Sequence, residues 1–338
     1  MRRKTWVIAT LVAAALMVAT APLRSAGPLK IRFGSFAPPA DIGPLLFAKK
    51  EALRHYGTSY EIEPVRFVAS SLTVSAIAAN QIDVTGLATP ALALAIQNAD
   101  LSDLRVIASQ VQDGVPGRYT SQSMVLKDGP IKSIKDLKGK VVATPSVGSA
   151  VDIGLRIMLR RNQLEAGRDY TVIQVAPANM KAFLMQGKAD LVTVSTPLAF
   201  DPELLAASRV LFTRRDIWQG TSESIFWAAR AGYLKDHRPI VVDLMEDIIR
   251  ATRWFTDPAN RPEAIAMLAE ATKRPAAELD SWIYTEKDSG RDPNAMPNLA
   301  SMQREVEAMK DAGFLKINID IKKYADLSIV EEAGRRLK

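Results

Sequence analysis

Residues 134–149 have the sequence IKDLKGKVVATPSVGS, which is the clearest strand-to-helix signal in this chain of 338 residues. The pattern predicts a short helix that ends at Gly139 and an apolar strand over 140–144. Small residues then lead into 149–164, where apolar residues recur at helical spacing. A strand that passes through a small-residue turn into a helix is the repeating unit of α/β folds.

The same alternation occurs on both sides of this stretch. Residues 29–111 alternate between predicted strands and helices, and a second alternating block spans 123–212. This alternation indicates parallel strands joined by crossover helices. The segment DGVPGRYT, residues 113–120, separates the blocks and has the glycine and proline content of a connector.

The last third of the chain differs, because from Tyr233 onward the pattern is almost entirely helical. The apolar segment 224–231 leads into it and is typical of a strand that returns through a core. We expect the late helices to fold back onto the first block, so that the chain crosses between the blocks twice and forms a hinge and a cleft. The prediction is an α/β fold of two lobes, with 27–113 and 224–338 in lobe 1 and 114–223 in lobe 2.

Composition excludes several classes of function. The chain has no cysteine, which rules out disulfides and thiolate metal sites, and its two histidines, His55 and His237, have charged neighbours typical of a surface. No metal site, cofactor or catalytic triad is therefore expected. Residues 1–26 carry four basic residues and no acidic one, so the formal charge falls from +7 to +3 without them. No basic cluster contains interleaved aromatic residues, and nucleic-acid binding is not expected.

The first 26 residues have the pattern of a secretory signal peptide. Arg2, Arg3 and Lys4 precede an uncharged apolar run over 5–21, and small residues follow. The run is short for a permanent span, although an uncleaved anchor is the alternative. The pattern predicts a signal peptide over residues 1–26, cut after Ala21 or after Ala26, and a location outside the cytoplasm.

Candidate binding residues lie where predicted strands lead into helices. Open parallel sheets bind ligands at these turns, because helix amides and hydroxyl groups there can hold an anion without a lysine or arginine. Carboxylates are largely absent from the turns themselves. The alternative is that each serine or threonine only caps its own helix. The candidate residues are Ser35, Phe36, Ser70, Ser71, Thr89, Ser146, Gly148, Ser149, Ser195 and Thr196.

The turn at 146–149 allows two interpretations of its role. The amides of Gly148 and Ser149 hold an oxyanion, or Ser149 is a plain N-cap with Asp152 completing a box-like turn. The spacing and the missing lysine exclude a P-loop.

Two further candidates lie near the second crossing. Trp218 belongs to a polar stretch and is expected to be exposed and to stack on a ligand, and Glu223 is either a hinge residue or a hydrogen-bond acceptor. Three arginines near the crossings suit a carboxylate or sulfonate, although solvated surface is the commoner role. These are Arg118, Arg214 and Arg215.

Three segments resemble a known protein family. Residues 134–143 followed by 146–149 are similar to its "I-x-D-L-K-G-K-x-V-A" strand entry and small-residue turn. The runs 182–191 and 76–86 are similar to two more of its patterns, each with a glycine or small residue before an aspartate. The family is that of the periplasmic solute-binding proteins for nitrate, aliphatic sulfonates, taurine and thiamine precursors, which serve ABC importers.

The resemblance implies a type II periplasmic-binding fold and a monomer that delivers a small anionic or polar organic solute to an ABC permease in the inner membrane. It aligns Ser71 and Ser149 with helix starts of the family. Thr196 and Pro197 fall where many members have a tryptophan-containing turn, so the substrate is expected to differ from that of the best-known members. Sulfonates, nitrate-like anions, carboxylates and pyrimidines all remain candidate ligands.

Two other functions are compatible with the same sequence. A periplasmic enzyme of the dehydratase type would need an acid–base residue at the cleft, and Glu223 is the candidate for it. A ligand-sensing partner of a membrane receptor would have the same fold and the same cleft.

Overall fold

The structure of the chain is a computed structural model that describes residues 27–36, 41, 43–67, 70–99 and 101–337. The predicted signal peptide, residues 1–26, lies outside the described residues. Within them, no helix combines the length and the apolar character that a membrane crossing requires.

The described residues form an α/β structure with two five-stranded sheets. The strands are β1 (Leu29–Ser35), β2 (Tyr60–Arg66), β3 (Val84–Leu87), β4 (Leu104–Asp113), β5 (Gln122–Leu126), β6 (Val141–Thr144), β7 (Thr171–Gln174), β8 (Leu191–Val194), β9 (Ser208–Thr213) and β10 (Ser222–Arg230). The α-helices are α1 (Gly43–Leu46), α2 (Ser70–Ala78), α3 (Thr89–Asn98), α4 (Ala150–Arg161), α5 (Met180–Met185), α6 (Pro202–Ala207), α7 (Arg214–Trp218), α8 (Ala231–Thr256), α9 (Arg261–Thr272), α10 (Ala276–Asp280), α11 (Leu299–Asp311) and α12 (Ser328–Arg336).

Each sheet is mixed rather than wholly parallel, which corrects the expectation from the alternating pattern. The lobe 1 sheet has the order β2-β1-β3-β10-β4, and the lobe 2 sheet has the order β7-β6-β8-β5-β9. β10 runs antiparallel to both β3 and β4, and β5 runs antiparallel to both β8 and β9. The reason is topological, because the chain leaves lobe 1 at the end of β4 and re-enters beside that end at the start of β10, so the two strands must run in opposite directions.

The register of β10 on β4 brings the two crossings together. Ser222 at the start of β10 pairs with Asp113 at the end of β4, and Arg230 pairs with Leu104 at the other end. The chain therefore leaves lobe 1 and re-enters it at paired positions. The exact lobe boundaries predicted from the sequence stay a prediction.

Apolar packing joins the lobes along one side. α3 and α11 of lobe 1 contact α4 and α7 of lobe 2, and one continuous cluster of buried residues includes Leu92 and Met302 from lobe 1 with Leu155 and Trp218 from lobe 2. A separate cluster lies between the lobe 1 sheet and helices α8 and α9, with Trp227 at its centre.

The two histidines are half-buried rather than on the surface as predicted. His55 Nε2 lies 3.1 Å from Glu246 Oε2, and the His237 ring lies 4.7 Å from that of Tyr233, at the kink of α8. His55 thus packs against α8, and His237 lies within it. The described residues contain no group of acidic, histidine or cysteine side chains that could hold a metal ion.

Gly34 holds β1 against β3, and we predict that Gly34→Ala destabilises the protein. A Cβ at this position would lie 2.3 Å from Thr85 Oγ1 and 3.2 Å from Phe67 Cε2, both inside the packed lobe. Overpacking of this kind lowers the free energy of unfolding by about 1–3 kcal/mol. Urea denaturation measures the change.

The matched control is Gly334→Ala in α12, where a Cβ meets no atom within 4 Å. Replacing glycine by alanine in an open helical position is expected to raise the unfolding free energy by about 0.5–1 kcal/mol. Equal midpoints for Gly34→Ala and the parent protein would contradict the close approach of β1 and β3.

Candidate functional site

A cavity lies at the carboxyl ends of the parallel strands β6, β7 and β8. Its volume is about 680 Å³, within the size range of small-molecule sites. Lobe 2 supplies Pro145, Pro177 and Phe200 to its wall, and the region of α10 in lobe 1 supplies Trp282. The cavity therefore lies between the lobes, where the strand-to-helix turns predict a ligand.

A smaller crevice of about 90 Å³ continues the cavity toward the hinge. Ser121, Ser195 and Thr196 line both spaces, so the two form one bipartite site. Asp113 and Arg291 lie on the wall of the smaller crevice.

Polar side chains fix the two crossings beside this crevice. The Asp113 carboxylate accepts hydrogen bonds from Thr120 Oγ1 at 2.5 Å and from the backbone and side chain of Ser121 at 3.1 and 2.7 Å. On the second crossing, Arg214 Nε donates to Ser222 Oγ at 2.8 Å. The hinge is thus short and hydrogen-bonded, and it forms one end of the site.

Ser195 and Thr196 are the sequence-predicted residues that the structure brings directly to the site. They follow β8, Ser195 is exposed, and Thr196 is half-buried. Both hydroxyl groups belong to the boundary shared by the cavity and the crevice. This position is consistent with the prediction that β8 ends at the cleft.

The turn at 146–149 does not offer free amides, which corrects the oxyanion reading. Gly148 N donates to Asp152 Oδ2 at 2.8 Å, and Ser149 N donates to Ser146 O at 3.2 Å. Ser149 Oγ accepts from Asp152 N, so the serine is an ordinary N-cap. The amide of Gly148, which the sequence predicted to bind a ligand, is thus bound by the carboxylate of Asp152 from within α4.

The first turn of lobe 1 shows the same arrangement. Phe36 N donates to Asp41 Oδ2 at 2.6 Å, and Gly43 N donates to Asp41 Oδ1 at 2.7 Å. Ser35 is buried at the end of β1. Carboxylates four or five residues downstream therefore reach back to the turns, although the turns themselves carry none.

Of the other lobe 1 candidates, Ser35, Phe36 and Thr89 do not line the two spaces. The Phe36 ring approaches Gly86 and so lies beside the strand that carries Ile225, a residue of the smaller crevice. Thr89 is buried at the start of α3. Ser70 and Ser71 begin α2, and the structure describes their backbone only.

Trp218 is buried, which corrects the prediction that it is exposed. Its side chain is 3% exposed and packs on α4, where the Cβ position of Gly154 lies 3.2 Å from the indole ring. A capping box formed by Thr213 and Asp216 starts α7 and turns Trp218 toward α4. The polar residues around Trp218 face solvent from the other side of this short helix.

Glu223 is buried within lobe 1 and lines neither space. Its carboxylate accepts from the Ser109 hydroxyl, from Gln112 Nε2 at 3.2 Å and from Asn298 N at 2.9 Å. Burial raises the pKa of Glu223 to about 7. The residue ties β10 to β4 and to the start of α11, which fits the hinge reading better than the ligand reading.

Glu305 of α11 lies next to Glu223, and its Oε1 accepts a hydrogen bond from the backbone amide of Glu223 at 3.1 Å. Burial raises the pKa of Glu305 to about 8, although the nearby Arg214 guanidinium lowers it in part. Two buried carboxyl groups thus support the start of β10. No sequence signal indicates Glu305, because α11 has an ordinary amphipathic pattern.

Arg291 is the site residue that the sequence did not indicate. Arg118, Arg214 and Arg215 do not line the cavity or the crevice, whereas Arg291 does. It lies in 285–297, a segment between α10 and α11 that contains no strand-to-helix turn. Only the packing of this segment beside β4, through Gly290 and Gln112, brings the arginine to the hinge.

A model of the NMT1-like family matches residues 26–269. The chain belongs to the NMT1-like family. A protein of Escherichia coli (strain K12) named for binding aliphatic sulfonates is 27% identical over 249 residues, which is 72% of this chain and 72% of that protein.

Solved structures extend the similarity of this NMT1-like chain to the whole fold. The crystal structure of the periplasmic aliphatic sulphonate binding protein SsuA from Escherichia coli matches with a TM-score of 0.67 and 21% identity, over 88% of this chain and 92% of that one. The periplasmic nitrate-binding protein NrtA from Synechocystis PCC 6803 matches with a TM-score of 0.67 and 19% identity, over 93% and 90%. The chain has the fold of periplasmic binding proteins, as the resemblance of its motifs implied.

The raised pKa of Glu305 predicts a stability that falls as pH rises. A carboxyl group that holds its proton more tightly when folded stabilises the protein below its unfolded pKa. That contribution is lost as pH rises from the ordinary pKa of 4.5 to the folded pKa of about 8. Glu305→Gln imitates the protonated form. Its melting temperature should therefore exceed that of the parent protein at pH 8.5, and the two should be similar at pH 5.

Differential scanning calorimetry across this pH range measures the gap. Because one unit of pKa shift corresponds to about 1.4 kcal/mol, we expect more than about 1 kcal/mol of difference at pH 8.5. Glu307→Gln, an exposed carboxyl group on the same helix, is the control and should not change the profile. A pH-independent effect of Glu305→Gln would contradict the prediction.

Proposed function

We propose that this chain is the periplasmic substrate-binding component of an ABC importer, which captures a small organic solute between its lobes. The observation that carries the proposal is the cavity of about 680 Å³ whose walls come from both lobes. A ligand there contacts Phe200 and Ser195 of lobe 2 and Trp282 of lobe 1 at once. Contacts made from both lobes are what a ligand needs to favour a closed state.

The hinge supports this proposal because the two crossings are paired side by side. Ser222 and Asp113 lie opposite each other in the ladder, so a small change of backbone angles there changes the whole interlobe gap. Closure would alter the surface that a membrane permease contacts. The permease of the inner membrane is the partner that this mechanism requires, and a monomer is sufficient for it.

Similarity to other proteins supports the same role. The relatives named for aliphatic sulfonates and for nitrate are binding proteins, and two of their solved structures are described as periplasmic. The basic and apolar residues 2–21 are consistent with export. We therefore propose that the ligand is collected outside the cytoplasm.

A binding role also fits the chemistry of the site better than catalysis. The dehydratase alternative depends on Glu223 as an acid–base residue at the cleft. Its carboxylate is hydrogen-bonded to Ser109, Gln112 and Asn298 instead. The sensor alternative shares the cleft and differs only in the membrane partner.

We predict that a small organic solute raises the melting temperature and closes the lobes. A ligand that binds only the folded state stabilises it in proportion to the logarithm of its concentration over Kd. A thermal-shift screen of sulfonates, carboxylates, pyrimidines and nitrate identifies the solute. Small-angle X-ray scattering then measures the expected decrease in radius of gyration.

Ser195→Phe places a ring in the space shared by the cavity and the crevice and should weaken binding of that solute by about tenfold or more, since overpacking costs about 1–3 kcal/mol. Ser102→Phe, at an exposed residue outside both spaces, is the matched control. Binding that leaves the scattering curve unchanged, or that Ser195→Phe does not weaken, would refute capture between the lobes.

A further inference from the structure

Lobe 2 has a basic face at the end opposite the cavity. The cavity lies at the carboxyl ends of β6, β7 and β8, whereas the amino ends of these strands meet the end of β5 and the start of β9. Segments 126–140, 165–171, 185–190 and 205–209 form this end, which we call the distal face. Backbone hydrogen bonds join the segments: Lys127 N to Ala207 O at 2.9 Å, Gly139 N to Asp169 O at 2.6 Å, and Asp190 N to Val141 O at 2.8 Å.

The distal face carries an excess of positive charge. Its four segments contain eight basic and five acidic side chains, which gives a formal charge of +3, and residues 27–338 together also have a formal charge of +3. The rest of that chain is therefore neutral overall. Charge concentrated on one face creates a local potential that attracts anions, although the total charge of the protein is small.

Five lysines of the distal face are exposed and form no ion pair with any described residue. They are Lys127, Lys132, Lys135, Lys138 and Lys188. The corresponding end of lobe 1 differs, because Arg32 pairs with Asp83 there and Arg230 pairs with Asp103. The lobe 2 lysines therefore keep their charge available for a partner outside the chain.

The acids of the distal face do not neutralise these lysines, because four of the five acids have other partners among the described residues. The pairs are Asp136 with the amides of Lys132 and Ser133, Glu165 with Arg160, Asp169 with Arg168, and Asp190 with Val141 N and Lys140. Asp128 is exposed and has no partner in the described part of the chain. The distal face thus presents five free positive charges and one free negative charge.

Exposed apolar side chains lie on or beside the same face. Met185 ends α5, Leu205 belongs to α6, and Val210 follows Arg209 in β9, and all three apolar side chains are exposed. Among the described residues only three other large apolar side chains are exposed, and they lie outside these segments. Basic residues beside exposed apolar side chains are typical of surfaces that lie at a membrane interface.

The residue types favour a lipid surface over a nucleic acid. The free cations are all lysines, which carry a hydrated point charge on a flexible stem, whereas arginine is the residue that binds phosphates and bases in a bidentate manner. No aromatic residue occurs in 126–140, the segment with most of these lysines. Lysines spread over one face are attracted by the negative potential of a bilayer that contains anionic phospholipid.

We propose that the distal face of lobe 2 binds reversibly to the surface of a bilayer that contains anionic phospholipid. Solute capture does not require this attachment. β6 and β8 have four residues each and separate the distal face from the cavity by about 13 Å. A chain held by the distal face therefore keeps its cavity open to solution, and it is concentrated at the membrane that holds the proposed permease.

Cosedimentation with vesicles measures this binding. Residues 27–338 are used, because the apolar run 5–21 would itself bind lipid. The vesicles are pure phosphatidylcholine or an equal mixture of phosphatidylcholine and phosphatidylglycerol. We expect binding to the mixed vesicles to be at least about tenfold tighter, and to be lost when salt is raised from about 0.05 to about 0.5 M, because salt shortens the Debye length.

A triple variant tests the lysines. It combines Lys132→Gln, Lys135→Gln and Lys138→Gln, and each change should weaken binding to the mixed vesicles about fivefold, which corresponds to about 1 kcal/mol per lysine near an anionic surface. The triple variant should therefore bind about 100-fold more weakly. Circular dichroism and the melting temperature check that it folds.

The matched control removes the same charge from lobe 1. It combines Lys316→Gln, Lys322→Gln and Lys323→Gln, three exposed lysines outside the distal face. Because the net charge changes equally in both triple variants, only the position of the lysines differs. The control should bind the mixed vesicles nearly as tightly as the parent protein.

A fluorescent probe tests which face touches the lipid. The chain has no cysteine, so Leu205→Cys carries a single site for an environment-sensitive dye, and Ile317→Cys, another exposed apolar position, is its control in lobe 1. Mixed vesicles should shift the emission of the dye at 205 to shorter wavelength and leave the emission of the dye at 317 unchanged.

Three results would overturn attachment through the distal face. They are equal binding to both kinds of vesicle, equal losses in the two triple variants, and an emission shift at 317 rather than at 205. Binding to heparin without binding to the mixed vesicles would assign the face to a soluble polyanion and would also overturn it. Each of these results leaves solute capture intact, because the thermal-shift screen contains no vesicles.

Discussion

The antiparallel pairing of β10 with β4 is the constraint on which the rest of the structure depends. It places Ser222 opposite Asp113, so the chain leaves lobe 1 and returns to it at adjacent points of one sheet. Because of this pairing, lobe 2 is attached by two short neighbouring segments. The cavity and the crevice both depend on that arrangement.

The two lobes meet both through apolar packing and across the cavity. α3 and α11 pack against α4 and α7 through buried residues such as Leu92 and Leu155, which restrains movement on that side. At the cavity, the ring centres of Phe200 in lobe 2 and Trp282 in lobe 1 lie 6.2 Å apart. Rotation about the packed side is therefore the motion that would most change the width of the site.

The electrostatics of the site follow from how the helix starts are satisfied. In each lobe, an aspartate accepts hydrogen bonds from the backbone amides of the turn that precedes it. Asp41 does so for the turn after β1, and Asp152 does so for the turn before α4. These internal carboxylates use the donors that a ligand would need, because a buried amide without a partner is costly. The donors left in the lining belong to side chains, with Arg291 the charged one.

The sequence by itself determined the α/β alternation, the two crossings and the end of β8 at the site, because periodicity and turn residues are local signals. It also carried the family motif in 134–149, which the family model and the solved structures bear out. Only the tertiary structure decided that the sheets are mixed and that Trp218 packs on α4. It also decided that Asp152 accepts the hydrogen bond of the Gly148 amide and that Arg291 reaches the crevice. Each of these depends on contacts between residues distant in the chain or on which side of a short helix faces inward, and neither spacing nor composition contains that information.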